Sequence, residues 1–358
     1  MLKTSIVYRY GLSVALMLTV QTIFGGYSIL AHVALSGTLH PLVFALVRDT
    51  LGTLCLMGAL YIKCRHMEKA DFTFNFFPKV EEFPRLMLCG VCGVWASQAG
   101  SALTLKNLDP TTMSLLQPLM PLVTALGSLI AGYEVWRVGY STAGKVLGLA
   151  LSVGGASYIS FASTASKGGK STAGNVPVGL LFLSIQIVGG GLYSVFQKPL
   201  LAERPSMFVA TWGYALGWCI LLLCTLSGCT SSDDWVFTPA SAGAAVYAGI
   251  LSSAYCYAAM AHAVQLSSPL FMAGFFPFMP LATVLLVWVS GGGLPSLNVA
   301  LGGLACGLGL AVFTAGQALS ALEEHKRIAD SEGGPSVEYE ILRESLSTGP
   351  LLEQDNHQ

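Results

Sequence analysis

The stretch PTTMSLLQPLMPLVT, residues 110–124, returns later in the chain as PLFMAGFFPFMPLAT, residues 269–283. Seven of the fifteen paired positions are identical, and three of those seven are prolines. Roughly one identity would be expected from ordinary residue usage. The register continues downstream, where Gly144-x-x-x-Gly148 pairs with Gly303-x-x-x-Gly307 at the same offset of 159 residues. The chain therefore contains an internal repeat.

The composition places this repeat in a membrane. Of the 358 residues, 53% are hydrophobic and 10% are charged, whereas soluble domains carry about 25% charged residues. Lipid must solvate part of this apolar surface, because a globule of this size cannot bury it all. No basic cluster is dense enough to neutralise several phosphates, which excludes a nucleic-acid partner. The nine cysteines lack zinc-site spacing and favour helix packing over metal or redox chemistry.

Ten apolar segments are long enough, at about 20 residues each, to cross the hydrocarbon layer as helices. They are residues 11–31, 41–62, 85–105, 110–132, 142–162, 177–197, 206–227, 241–263, 269–290 and 297–319. If the N-terminus is cytosolic, fourteen Lys and Arg residues fall on the cytosolic side and three on the other. This is the positive-inside bias of multi-pass proteins. We therefore predict an all-α integral membrane protein with ten spans and both termini in the cytosol.

The repeat divides the predicted spans into two halves of five. Residues 1–162 form the first five-helix repeat and 177–319 the second, joined by a Ser/Gly/Lys-rich linker at 163–176. Because five is odd, the second half must enter the membrane from the opposite side, as in many secondary transporters. The segment 320–358, with nine acids and three bases, is predicted to be a disordered cytosolic tail.

Two proline pairs interrupt the fourth and ninth predicted spans. They are Pro118 with Pro121 and Pro277 with Pro280. Each proline removes an amide donor and disrupts the helix four residues back. In lipid, the freed carbonyls are tolerated only where they face protein or a wet cavity. These prolines are candidates for cavity walls or gates, although prolines that only bend packed helices would leave the same pattern.

Arg48 and Asp49 are the only adjacent charges deep inside a predicted span. A charge in the membrane is costly and therefore marks a candidate for function. Arg48 is a candidate for substrate binding, or else a structural arginine paired with a carboxylate on another helix. Neighbouring side chains on a helix lie about 100° apart, so Asp49 is expected to point elsewhere. It is the candidate for ion coupling.

Polar and aromatic residues at equivalent positions extend the candidate site. Gln21 corresponds to Gln186 at an offset of 165 residues, and Gln98 to Tyr257 at an offset of 159. Amides and aromatic edges suit a zwitterion or a small aromatic acid. Each side chain could instead only bridge helices. The substrate-binding candidates are Gln21, Arg48, Trp95, Gln98, Gln117, Gln186 and Tyr257.

Several motifs together resemble a known family. They are Val47-Arg48, the segment 100–110 before the fourth span, Gly144-x-x-x-Gly148 and Pro277-x-x-Pro280-Leu281. Over nearly all of residues 10–320 the chain is similar to the EamA-type carriers of the drug/metabolite transporter superfamily, in particular the plant nodulin-like members associated with amino-acid and auxin movement. That family usually repeats an acidic residue after the ninth helix, but here Glu134 aligns with Gly293. Glu134 itself is expected to be solvated at its helix end or held in a loop salt bridge.

The resemblance and the repeat imply a carrier that moves an amino acid, an amino-acid derivative or a similar small solute by alternating access, without a cofactor. Two alternatives stay open: a transporter of nucleotide sugars or other phosphorylated metabolites, and a membrane sensor that does not transport. An enzyme is not expected, because neither H-E-x-x-H nor a pair of intramembrane aspartates is present. The expected partners are the small-molecule substrate, membrane lipid and, through the glycine pairs, a homodimer. The plasma membrane is the expected location, with a vacuolar or other endomembrane as the alternative.

The predicted orientation can be measured with epitope tags. A tag at either terminus should resist protease in sealed vesicles whose outer face is exposed, and should be cleaved once the membrane is permeabilised. A tag in the loop at 229–238, which is predicted to lie outside, is the positive control. Termini on opposite faces would contradict an even number of spans.

Overall fold

A computed structural model describes residues 2–35, 39–108, 116–134, 137, 139–165, 175–291 and 294–331. This part of the chain is helical and contains no β-strand. Its α-helices, numbered here in chain order, are α1 Leu2–Ala34, α2 Pro41–Cys64, α3 Lys69–Phe76, α4 Phe83–Gly90, α5 Gly100–Asn107, α6 Met120–Ile130, α7 Tyr140–Ala165, α8 Val176–Glu203, α9 Ser206–Gly228, α10 Pro239–Tyr247, α11 Cys256–Leu266, α12 Pro269–Ala273, α13 Phe278–Val289 and α14 Leu297–Ser331.

Nine stretches of the described chain are long and apolar enough to cross a membrane. They correspond to nine of the ten predicted segments. The predicted segment 110–132 is described only from residue 116 and contains the shorter apolar helix Gln117–Ile130. The chain is thus an all-α, multi-pass membrane protein, and the count of ten spans stays a prediction.

Two predicted boundaries are wrong. Helix α14 continues to Ser331, so residues 320–331 are helical and not part of a disordered tail. They are held against the start of α7, where Ser141 Oγ donates to Glu323 Oε2 at 2.7 Å. Helix α7 likewise runs to Ala165, into the predicted linker. The rest of that linker at 166–174 and the tail from 332 lie outside the described residues.

The helices that carry the proline pairs break at equivalent places. A 3-10 turn at Gln117–Leu119 precedes α6, and a turn at 274–277 separates α12 from α13. Both helices also end alike: Gly132 has φ 72° and Gly291, 159 residues later, has φ 88°. Positive φ is the left-handed conformation that glycine adopts at helix ends without a steric penalty.

A π-helical segment recurs at nearly the same offset. Val91–Ala99 connects α4 to α5, and Ala248–Tyr255 connects α10 to α11. π-Helical turns are rare and often lie at functional sites, because the added residue shifts the side chains that follow. These two segments face the interior: Gly93 of the first and Ser253 of the second are both buried.

Helices α7 and α14 pack against each other along most of their length in an antiparallel pair. Gly144, near the start of α7, faces Gly316 near the end of α14, whereas Gly155, further along α7, faces Gly302 and Cys306. A Cβ atom at Gly155 would lie 2.5 Å from the backbone nitrogen of Cys306. Small residues therefore allow the two backbones to approach closely.

Adjacent glycines provide a matched test of this packing. Gly155→Ala should destabilise the protein by about 1–3 kcal/mol, because the new methyl group overpacks a backbone contact. Gly154→Ala should leave the stability unchanged or slightly raised, because a Cβ at Gly154 meets open space. The measurement is the Tm of the purified protein in detergent. Equal Tm values for the two variants would contradict the close packing of α7 and α14.

Candidate functional site

An ion pair inside α2 forms the centre of the candidate site. Arg48 Nε lies 2.8 Å from Asp49 Oδ1, and the two side chains are 2% and 0% exposed. The expectation that Asp49 points away from Arg48 is wrong, and so is the alternative of a carboxylate on another helix. The long arginine side chain spans the angle between neighbouring positions. Its pairing avoids the large cost of an isolated charge in a low-dielectric interior.

Three other parts of the chain complete this pair. Arg48 Nη1 donates to the Tyr27 hydroxyl of α1 at 2.7 Å, and the guanidinium lies 5.2 Å from the centre of the Tyr27 ring. On the other side, Asp49 Oδ1 accepts from the Tyr214 hydroxyl of α9 at 2.6 Å and from Ser253 Oγ at 3.1 Å. The pair therefore fixes α1, α2, α9 and the second π-helical segment to one point.

One polar atom of each charged group remains unused. Arg48 Nη2 and Asp49 Oδ2 are buried and have no hydrogen-bond partner among the described residues. A buried donor or acceptor without a partner costs about 1–3 kcal/mol, and more when the group is charged. The site therefore presents a free cationic donor and a free anionic acceptor on neighbouring residues.

A second group of contacts continues the site towards the first π-helical segment. Gln98 Nε2 donates to the Tyr257 hydroxyl at 3.0 Å, and that hydroxyl donates to the Gly93 carbonyl at 2.7 Å. The Tyr257 ring packs edge-on against Tyr214, with centroids 4.7 Å apart, and lies 5.6 Å from Tyr193. We name this set the central cluster; it consists of Tyr27, Arg48, Asp49, Gln98, Tyr193, Tyr214, Ser253 and Tyr257.

Two contacts of the central cluster join positions that correspond between the halves. Gln98 and Tyr257, which are hydrogen-bonded, are 159 residues apart. Asp49 and Tyr214, also hydrogen-bonded, are 165 residues apart, the offset that matches Gln21 with Gln186. Residues at corresponding positions of the sequence repeat are thus hydrogen-bonded to each other.

The other substrate-binding candidates lie apart from the ion pair. Trp95 Nε1 donates to Cys224 Sγ of α9 at 3.2 Å, and Gln117 lies in the 3-10 turn before α6. Gln21 and Gln186 are both buried, and Gln186 packs against Gly100. Within the described chain, no hydrogen bond joins these four residues to Arg48 or Asp49. Their role in substrate binding stays a prediction.

The four prolines lie at the helix breaks. Pro118 is in the 3-10 turn and Pro121 is in the first turn of α6, while Pro277 precedes α13 and Pro280 is in its first turn. The broken helices are attached by equivalent threonines. Thr124 Oγ1 donates to the Gly191 carbonyl of α8 at 2.7 Å, and Thr283 Oγ1 contacts the Gly25 carbonyl of α1 at 3.5 Å. Gating by these prolines stays a prediction.

Several residues of the central cluster were not found from the sequence. Tyr27, Tyr193, Tyr214 and Ser253 are neutral residues within apolar spans and carry no individual signal. Tyr214 could have been found, because it occupies the position 165 residues after Asp49. The other three become visible only when the helices are packed together.

Several known plant proteins match this chain over most of its length. No family model matches it. The protein WALLS ARE THIN 1 of Arabidopsis thaliana is 24% identical, over 94% of this chain and 93% of its own length. A WAT1-related protein of the same plant is 24% identical over 90% of this chain and 92% of its own length. Another is 25% identical over 75% of each.

A solved crystal structure of a protein supports the fold independently. It covers 85% of this chain and 98% of its own, with a TM-score of 0.66 at 19% sequence identity. The fold is therefore shared with that structure. The resemblance drawn from the motifs is confirmed: over most of its length, this chain is similar to the plant WAT1-type proteins, which are nodulin-like members of the EamA-type drug/metabolite transporters.

Proposed function

We propose that the protein carries an amino acid, an amino-acid derivative or a similar small organic solute across the membrane by alternating access. The WAT1-type relatives support membrane transport as the general activity. The observation that carries the substrate proposal is the buried ion pair with one free atom on each partner, Arg48 Nη2 and Asp49 Oδ2.

The free atoms are complementary to a zwitterion. A carboxylate would accept from Arg48 Nη2, and an ammonium group would donate to Asp49 Oδ2. Both contacts would be charge-assisted and therefore among the stronger hydrogen bonds. The tyrosine rings of the central cluster supply apolar walls with polar edges, which is the usual construction of a small-molecule site.

A phosphorylated substrate fits this centre less well. Phosphate recognition calls for several cationic donors. The central cluster offers one guanidinium, and Asp49 already neutralises it. The carboxylate would also repel a phosphate group. Transport of a nucleotide sugar is therefore the outcome against which the amino-acid proposal is tested.

An inverted repeat is supported by three features that recur at offsets close to that of the sequence repeat. The helix breaks, the π-helical segments and the terminal glycines Gly132 and Gly291 all occupy corresponding positions. The corresponding helices α7 and α14 run antiparallel, as opposite insertion requires. Under a pseudo-twofold relation, equivalent atoms touch only beside the axis. The contacts of Asp49 with Tyr214 and of Gln98 with Tyr257 would therefore put the substrate site on that axis.

Alternating access follows from this geometry in physical terms. The central cluster is nearly inaccessible in the described conformation, since Tyr214 and Tyr257 are 1% and 6% exposed. Opening to either face requires helices to move away from the centre. The broken helices α6 and α13 are suited to this movement, because proline has already removed some of their internal hydrogen bonds.

The proposal predicts that transport depends on Arg48. The purified protein in liposomes should take up at least one radiolabelled amino acid from a panel that also contains a nucleotide sugar. Arg48→Ala should lower that flux by on the order of 100-fold, because it removes a charged contact to the substrate carboxylate. Arg137→Ala, which removes a cation that is 52% exposed, should leave the flux unchanged.

A milder variant serves as a control in case Arg48→Ala misfolds. Tyr27→Phe keeps both charges and removes only the bond to Arg48 Nη1, so it should reduce flux less than Arg48→Ala does. Normal flux in a correctly inserted Arg48→Ala protein would exclude Arg48 from the site. Uptake of the nucleotide sugar alone would contradict the amino-acid proposal, and a protein that binds solutes without flux would be a sensor.

A further inference from the structure

Buried polar side chains without partners recur along α1 and α8. Ser13 and Gln21 of α1 are both 0% exposed, as are Ser194 and Gln197 of α8. The Ser13 and Ser194 hydroxyls and both amide atoms of Gln21 and of Gln197 lack a hydrogen-bond partner among the described residues. Native proteins seldom leave such groups unsatisfied, so each instance indicates a water or another partner in the functional molecule.

These side chains lie on two helices that contribute to the same buried core. Met17 and Val20 of α1 belong to the same buried cluster as Tyr193 and Leu200 of α8. At the cytosolic end of this region, as the orientation is predicted, Arg9 and Glu134 both lie within electrostatic range of Lys198. Helices α1 and α8 both pack against α11, which lies in the same buried cluster.

The side chains are also ordered by depth. At 1.5 Å per residue, Ser13 lies about 12 Å from Gln21 along α1, and Gln197 about 16 Å from Gln186 along α8. In the predicted orientation, Ser13 lies closer to the cytosol than Gln21, and Gln197 lies closer to it than Gln186. Because Tyr193 of α8 contacts Tyr257, these polar positions begin beside the central cluster and continue towards the cytosolic face.

A buried network centred on Glu134 closes that face. Lys145 Nζ lies 3.0 Å from Glu134 Oε2. Glu134 Oε1 accepts from Ser268 Oγ and, at 3.5 Å, from Gln317 Nε2. Next to Ser268, Lys198 Nζ donates to the carbonyls of Ser267 and Val264 at 2.8 and 2.9 Å. This Glu134 network connects the first half of the chain to the second. Glu134 forms a salt bridge, which was one of the two expectations from the sequence, but the bridge is buried and its partner, Lys145, lies in helix α7.

The repeat does not reproduce this network on the opposite face. The position that corresponds to Glu134 is Gly293, and the one that corresponds to Lys145 is Leu304. Leu304 is 61% exposed. The acid and the base of this network are thus present in one half of the sequence only.

We propose that Ser13, Ser194 and Gln197 line the cytosolic half of the permeation route, and that the Glu134 network is its closed gate. The proposal rests on the proposed carrier function and identifies the path that the solute takes from the central cluster. When Glu134 releases Ser268, α1 of the first half moves away from α11, the helix of the second half that also packs against α8. Water and the polar solute then satisfy the side chains that are unpaired in the closed conformation.

Site-directed labelling tests the route without a known substrate. Ser13→Cys and Gln197→Cys are made separately and exposed to a membrane-impermeant charged methanethiosulfonate in vesicles with the cytosolic face outward. Mass spectrometry quantifies modification at the introduced cysteine, which separates it from the native thiols. Val188→Cys is the control, because Val188 lies on the lipid-facing side of α8 with 46% exposure.

The gate is tested by repeating the labelling in three backgrounds. Glu134→Gln should accelerate modification at positions 13 and 197 roughly tenfold, the size expected for loss of one charge-assisted hydrogen bond. Ser268→Ala should act in the same direction and retains the Glu134–Lys145 pair in case the first variant misfolds. Glu324→Gln, which disrupts only the exposed pair with Arg137, should leave the rate unchanged.

The outcomes separate this inference from the carrier function. Solute flux without any labelling at positions 13 and 197 would locate the route elsewhere and overturn the inference, while the carrier function would stand. Labelling that neither Glu134→Gln nor Ser268→Ala accelerates would overturn the gate. Gated labelling without flux of any solute in the panel would contradict the carrier function and leave the opening itself supported.

Discussion

The ion pair between Arg48 and Asp49 is the constraint on which the rest of the interior depends. Two adjacent charges in the middle of an apolar helix can be accommodated only if neighbouring helices bring polar groups to them. Tyr27, Tyr214 and Ser253 do this from three other parts of the chain. Such a buried pair contributes little net stability compared with apolar packing. Its two unused polar atoms support the proposed role in ligand recognition.

The contacts between corresponding positions connect the two halves of the protein at the central cluster. Asp49 meets Tyr214 and Gln98 meets Tyr257, so chemistry that differs between the halves is concentrated where the halves touch. Hydrogen bonds there would link the proposed substrate site to the relative position of the helices. A solute that competes for Asp49 would therefore also weaken a contact that holds α2 to α9.

Much of the fold could be predicted from the sequence, because helices that span lipid require long apolar segments. The repeat also indicated which segments of the two halves correspond. Nine segments agree with the described helices. The predicted start of the tail at residue 320 was wrong, since contacts such as Ser141 with Glu323 extend α14 to Ser331, beyond the apolar run. Within the site, Arg48, Gln98 and Tyr257 were identified, whereas the direction of Asp49 was not. Helix angles describe where a Cβ points, not where a long flexible side chain ends, and neutral tyrosines acquire their role only through packing.

The glycine contacts between α7 and α14 have a consequence for how the molecule can deform. At Gly155 the backbone of one helix lies against the backbone of the other, without side chains that could slide or change rotamer. Such a joint has few alternative arrangements, unlike an interface made of interdigitating leucines. Helices α7 and α14 would therefore behave as one rigid unit that contains a helix from each half of the protein. Any rearrangement during a transport cycle would then occur relative to this helix pair, and α1, α6, α8 and α13 would be the helices that move.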